Sequence, residues 1–410
     1  MMAQFGQYRF AFAVSATLAT TALSVAQSLT WLGVLPGAYQ SEATGVSADG
    51  RVVVGTSNIG SPRAFRWTRE DGMQDLGDLG GALSFGTAIS ADGRTLVGYT
   101  SDAQGRLFGF RWRDGQMTSL GALTSVLWSE AYGVSANGSV ISGHAWGFSN
   151  FTAVRWDNGV IRNLGTLSGA IASRAWGVSG DGRVVVGAAF FPSQGFPEAR
   201  AVRWVNTTIQ QLAAIPGYRR SWAFAASSDG SVVVGYAYPD DGVSPSISIR
   251  WVDGQAQNLG WLPMSGADGS IAYGVSGDGA IVVGSSDGRA YRWTQATGMQ
   301  NLNTVYASLL ADGSRLESAN AVSPDGRFIV GRGYNAATQR TEAFLLDTAT
   351  CITHNGDVDE NGCIDDADLL AVLFAFGQAG QNLGRVDTNC DGIIDDADLL
   401  TVLFNFGQGC

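Results

Sequence analysis

The sequence predicts an all-β chain built as a seven-bladed β-propeller, followed by a small C-terminal domain of two short α-helices. Three observations carry this reading. A Ser-x-Asp/Asn-Gly tetrapeptide returns seven times at nearly constant spacing, a β-branched apolar run follows most copies, and all four cysteines lie in the last sixty residues.

The tetrapeptide begins at Ser47, Ser90, Ser135, Ser179, Ser227, Ser276 and Ser323, with spacings of 43, 45, 44, 48, 49 and 47 residues. A period of that size marks an array or a propeller. Each unit has the same parts in order: a short segment such as Tyr132-Gly133-Val134, the Asp-Gly turn, and an apolar run ending in glycine such as Val184-Val185-Val186-Gly187. Six units then carry Arg-Trp, at 66/67, 111/112, 155/156, 203/204, 250/251 and 292/293, and a Leu-Gly-x-Leu segment or a degenerate form of it closes the unit. This predicts four short strands per unit. Asp-Gly accepts the positive φ of a tight hairpin, and β-branched runs suit a sheet packed on both faces.

The ends of the array predict closure. The seventh unit stops at Ala343-Phe344-Leu345-Leu346 with no Leu-Gly-x-Leu after it, whereas Leu32-Gly33-Val34-Leu35 stands unattached before the first unit. Residues 29 to 35 are therefore expected beside 341 to 347, which removes the exposed edge between the termini. The repeated Arg and Trp are expected to fill the space between blades, the guanidinium meeting an acidic or carbonyl group.

The connections of variable length share one end of the blades, and a binding surface is expected there. Trp128, Trp176, Tyr218, Trp222 and Trp261 fall on that face and are the candidate residues for a glycan or a protein ligand. An aromatic residue three places before the repeated serine recurs in four units (Tyr132, Trp176, Phe224, Tyr273), which reads as packing. In Gly45-Val46-Ser47-Ala48-Asp49-Gly50-Arg51-Val52-Val53-Val54-Gly55 and in the Leu-Gly-x-Leu segments, residues 29–347 resemble the extracellular repeat family named for its His-Ala-Phe (HAF) signature. The naming tripeptide here is Arg63-Ala64-Phe65 or Glu342-Ala343-Phe344. The resemblance implies secretion and a propeller-like shape.

Residues 1–26 read as a secretory signal peptide: Arg9, an uncharged, mostly apolar stretch from Phe10 to Leu23, then Ser24-Val25-Ala26 before a mature start at Gln27. The expected location is extracellular or on a bacterial cell surface, with no transmembrane segment after cleavage and a propeller over 27–350. Cys351, Cys363, Cys390 and Cys410 predict two disulfides stapling the domain 351–410, with the pairing open. From Cys351 onward eleven carboxylates face a single cation, Arg385, whereas the first 350 residues are nearly neutral. The chain has no lysine, and no nucleic-acid partner is expected.

Two segments of the tail match a calcium loop. Both place oxygen side chains at positions 1, 3, 5, 9 and 12 with glycine at 6, as hard-oxygen coordination in a tight loop requires. Asp357, Asp359, Asn361, Asp365 and Asp368 are expected to hold one Ca2+, and Asp387, Asn389, Asp391, Asp395 and Asp398 a second. The backbone carbonyls of Cys363 and Ile393 would contribute from position 7. Each loop runs into a short apolar helix stopped by Gly377 or Gly407. With one helix after each loop and aspartate at position 12, residues 352–408 resemble a type I dockerin. That resemblance implies docking to a cohesin and company in polysaccharide breakdown. Both halves carry Asp-Ala at loop positions 10 and 11, where dockerins often carry Ser-Thr, so the expected partner is a cohesin-like or a cell-envelope protein.

No nucleophile signature surrounds His144 or His354. The expected function is thus a secreted, non-catalytic binding or assembly protein. The alternative is a carbohydrate-active protein, a glycoside hydrolase or a carbohydrate-binding subunit. Asp240, Asp241, Glu130 and Glu198, read as variable-loop residues, would supply the carboxylates of a hydrolase.

Overall fold

The structure is a computed structural model that describes residues 27–58, 60–124, 127–147, 151–193, 198–263, 269–348, 354–359, 361–379, 383–389 and 392–410. The expected signal peptide, Cys351, Cys390 and Asp391 lie outside the described residues. Contacts divide the chain into Gln27–Ala349 and a tail, Thr350–Cys410. Among the described residues no helix is long and apolar enough to cross a membrane.

The larger unit is built of β-strands, apart from one short helical insertion over 302–310. Five antiparallel four-stranded sheets follow one another in sequence order, each repeating the pattern of Trp128–Val134, Val140–Trp146, Phe151–Asp157 and Val160–Asn163. The remaining strands form one eight-stranded sheet. Its halves are Gln40–Val46 through Gly72–Asp75, and Arg315–Val322 through Arg340–Asp347 with Ser28–Gly33 added. The halves meet through one parallel bridge, Gln40 to Thr341.

Closure occurs as the offset of the repeat predicts. Ser28–Gly33 pairs antiparallel with the last strand, from Ser28 opposite Asp347 to Gly33 opposite Ala343. One detail of the expectation is corrected. In most units Leu-Gly-x-Leu follows the fourth strand, which is the segment before it, such as Gln116–Ser119 or Thr208–Gln211; only Ser28–Gly33 and Gln255–Gly260 take in its Leu-Gly. The leucine adds one more ladder bond, Leu120 N to Gly109 O at 2.8 Å, and is buried. The following Gly121 has φ +68°, which ends the strand.

The tetrapeptide works as a hinge between neighbours. In each copy the serine hydroxyl donates to the Asp or Asn side chain two residues on, as from Ser179 to Asp181 at 2.6 Å, and accepts from the backbone N–H five residues on, as from Val184 N at 2.9 Å. The turn glycine lies against the preceding unit: a Cβ on Gly93, Gly138 or Gly182 would meet Val52, Thr95 or Val140. At Gly50 it would stand 2.6 Å from Phe328, so the contact passes from the last repeat to the first and completes a circuit.

Between units the core is aromatic and aliphatic. Trp156, Trp204 and Trp251 are fully buried, and the indole N–H of Trp156 reaches Leu120 O of the preceding sheet at 2.9 Å. The arginines of the Arg-Trp pairs reach carbonyls, Arg155 to Gly182 O and Arg250 to Gly279 O, both at 3.1 Å. A buried serine six residues before the tetrapeptide adds a clasp that the sequence reading missed. Ser129 Oγ accepts from Gly109 N and donates to Gly121 O, and Ser41 does the same with Ala343 N and Gly33 O at the closure. In the last unit the helical insertion Leu302–Val305 replaces it, Asn303 bonding both backbone groups of Leu316.

The tail is a pair of matching halves. Helices Asp366–Ala375 and Asp396–Asn405 are each capped by the preceding aspartate in a capping box. Gly377 N donates to Ile394 O and Gly407 N to Ile364 O, both at 2.8 Å, so each half ends on the other's loop. The core is small, built on Ile364, Val372, Ile394 and Val402. Cys363 and Cys410 form a disulfide spanning 47 residues.

Candidate functional site

The propeller contains a central cavity of about 620 Å³ lined by the innermost strand of every unit, a size within the roughly 300–1,000 Å³ of small-molecule sites. Its shape originates in a bulge. In all seven innermost strands the register slips across one residue, three places before the repeated serine. Those residues are Thr44, Thr87, Tyr132, Trp176, Phe224, Tyr273 and Asn320, and all seven line the cavity. A bulge bends the strand and re-aims the extra side chain. The glycine that ends each apolar run accommodates it: at Gly143 a Cβ would stand 2.0 Å from Glu130 O.

The ring of bulged residues is lopsided. Four consecutive units supply the aromatic arc Tyr132, Trp176, Phe224 and Tyr273; Trp176 meets Phe224 edge-on at 5.4 Å, and Phe224 stacks on Tyr273 at 6.1 Å. The other three units supply Asn320, Thr44 and Thr87. Beside them lies Glu42, which accepts from Asn320 Nδ2 at 2.8 Å and stands 3.6 Å from Arg332.

One buried polar network braces the aromatic arc. His144 Nε2 lies 3.1 Å from Glu130 Oε2, and the Tyr132 hydroxyl donates to the same oxygen at 2.7 Å. Burial acts to raise the Glu130 carboxyl, but hydrogen bonds from His144 and Tyr132 and the charge of Arg174 outweigh it and hold it below the ordinary value. Burial pushes the His144 ring below its ordinary value despite the hydrogen bond and charge of Glu130. Burial and the Glu130 charge raise Tyr132 and push Tyr99, its hydrogen-bonded neighbour, up to about 12. Arg174 lies over the Phe151 ring at 3.5 Å.

The five candidate ligand residues do not form one row. Trp176 is in the cavity. Trp222, two residues before Phe224, stacks on Tyr236 at 4.8 Å. Trp128 stacks on Trp146 at 6.1 Å, and Tyr218 packs against an inter-sheet core with its hydroxyl reaching Pro245 O at 3.3 Å. Trp261 is exposed away from the cavity lining. The recurring aromatic position read as packing is the one that faces the cavity, and the sequence signal for it was already present in the four-unit recurrence.

The four carboxylates of the hydrolase alternative are not among the residues lining the central cavity. Glu130 and Glu198 are corrections: Glu130 lies on the innermost strand Trp128–Val134 and Glu198 opens the strand Glu198–Val205, neither of them in a variable loop. Glu198 is bonded to Arg200, Asp240 to Arg219 and Asp241 to Ser244.

In the tail, carboxylate oxygens of Asp357, Asp359 and Asp368 come within 4.8 Å of one another. Asp357 Oδ1 is buried without a hydrogen-bond donor among the described residues, while Oδ2 accepts from Gly362 N at 3.2 Å. Asp368 is fully buried. Burial acts to raise its carboxyl, but backbone N–H groups of Asp365, Asp359 and Val358 outweigh this and hold it below its ordinary value. The other two candidates of this loop are turned to local structure, Asn361 Oδ1 accepting from Cys363 N and Asp365 Oδ1 capping at Ala367 N.

The second loop repeats the pattern. Asp398 accepts from Thr388, Asn389 and Asp395 N–H groups, Asp387 Oδ2 accepts from Gly392 N at 3.0 Å, and Asp395 caps its helix at Ala397 N. Of the position-7 residues, Cys363 is in the disulfide and Ile393 bridges Ala379. An orphaned buried oxygen among converging carboxylates fits a hard divalent cation.

No family model matches the chain, and no curated protein matches it. Among solved structures it is similar to an oligogalacturonate lyase from Vibrio parahaemolyticus, at 12% identity and TM-score 0.52, over 78% of this chain and 93% of that one. The larger unit is a β-propeller. Similarities of TM-score 0.43 and 0.44 extend to a putative TolB from Agrobacterium tumefaciens (15% identity, 76% of this chain, 91% of that one) and the β-propeller domain of the Trilobed protease from Pyrococcus furiosus (11%, 77%, 96%).

Proposed function

We propose that this is a secreted, non-catalytic binding or assembly protein: a propeller of seven blades joined to a calcium-dependent, dockerin-like tail. The count of seven takes the eight-stranded sheet as two blades meeting at the Gln40 to Thr341 bridge. The tail reading rests chiefly on one observation, the convergence of Asp357, Asp359 and Asp368 around the unpartnered Asp357 Oδ1. Calcium held by these residues, and by their counterparts Asp387 and Asp398 in the second loop, would neutralise charge that otherwise repels.

The two helices then present matching surfaces to a cohesin-like or cell-envelope protein. Phe374 and Phe404, at equivalent positions, are 84% and 80% exposed. The test is titration of the chelator-treated full chain with CaCl2, followed by calorimetry and far-ultraviolet circular dichroism. Uptake at two sites with a gain of helix is expected, and Asp357→Ala combined with Asp387→Ala should abolish both. A response unchanged in that double variant would sink the ligand assignment.

A further inference from the structure

We infer that the central cavity binds a neutral pyranose at the end of a glycan, stacked on the aromatic arc and held by the polar arc. This gives the propeller reading above a ligand class and does not depend on the calcium tail.

The bulges are the first argument. Each interrupts a hydrogen-bond ladder in order to turn one side chain to the axis. Side chains that merely filled the axis would be bulky in every unit. Here three adjacent units carry Asn320, Thr44 and Thr87 instead, and a cavity of about 620 Å³ remains.

The chemistry of the two walls is the second. A pyranose has a C–H face that suits the flat surface of Trp176 and its aromatic neighbours, and a rim of vicinal hydroxyls. Glu42 and Arg332, side by side and roughly half exposed, offer paired acceptors and paired donors to such a rim. Charge then selects among sugars. Glu42 stands with Arg332 and Glu130 with Arg174, so an anionic ligand would meet no excess of cations.

The platform is also held in place before any ligand arrives. Tyr132 is pinned through its hydroxyl to Glu130, itself bonded to buried His144, and Trp176 is set edge-on against Phe224. Side chains already fixed lose little entropy on binding.

The test is titration of the full chain with neutral gluco-, manno- and galacto-tetrasaccharides, read by calorimetry and tryptophan fluorescence. Trigalacturonate and a neutral tetrapeptide represent the competing ligand classes. At least one neutral series should saturate. Trp176→Ala should weaken it about tenfold or more, Glu42→Gln should weaken it as well, and Trp261→Ala should leave it unchanged. Trp176→Phe keeps a ring in place and should retain most of the binding, which separates loss of the platform from loss of the fold.

Adding a chelator should not alter the binding; loss on chelation would move the site to the tail and overturn this inference while leaving the tail reading intact. Absence of saturation by every neutral sugar up to about 10 mM overturns it. So does preference for trigalacturonate or the peptide, or sensitivity at Trp261 in place of Trp176.

Discussion

The propeller and the tail reach order by opposite routes. The propeller is nearly neutral and closes on itself: apolar runs bury between sheets, and each turn glycine rests on the neighbouring unit round to the contact of Gly50 with Phe328. The tail sets eleven carboxylates against Arg385 around a core of four buried residues, tied by the disulfide of Cys363 and Cys410. Burial alone suffices for a large closed sheet array. A sixty-residue acidic module needs cross-links or a cation.

Perturbations of closure and charge therefore separate the two regions. The largest effect is expected from deleting residues 27–35, which strips the last strand of its partner and exposes its edge. Cooperative unfolding of the propeller should be lost or its midpoint lowered by more than about 10 °C, a loss of several kcal/mol, with the calcium response of the tail unchanged. A deletion that melts like the parent protein would show that closure is not what stabilises the ring.

Chelation should do the reverse, removing helical signal while the near-ultraviolet tryptophan signal of the propeller stays constant. Replacing Cys363 and Cys410 by serine should destabilise the tail by roughly 2–4 kcal/mol, measured as the denaturant midpoint of its helical signal at fixed calcium. Within the propeller, Gly50→Ala meets both a positive φ and the Phe328 ring and should cost roughly 2–4 kcal/mol, against about 1 kcal/mol for Gly115→Ala, which has open space. Equal effects at the two glycines would contradict the packing role of the turn.

The smallest expected effect is on pH dependence. His144 titrates below its ordinary 6.5 in the folded chain, so the unfolded chain binds the proton more readily. Stability is then full above about pH 6.5 and is lost as pH falls through the folded value. Glu130, held below 4.5, extends the loss at lower pH. Thermal midpoints measured between pH 7 and 5 should show this slope in the parent and not in His144→Gln.

The sequence alone determined what depends on local chemistry and period. Asp-Gly turns, β-branched runs and the orphan segment near Leu32 led to repeated sheets and to the pairing of Ser28–Gly33 with the last strand, because a turn residue's φ and a strand's alternation act over a few residues. The acidic loops were legible for the same reason. Only the tertiary structure decided which side chains meet. Glu130 and His144 are brought together by strand pairing. The aromatics before the repeated serine face the axis because a bulge turns them there. Facing is set by the register between strands, and register arises from packing against neighbours that no single stretch of sequence contains.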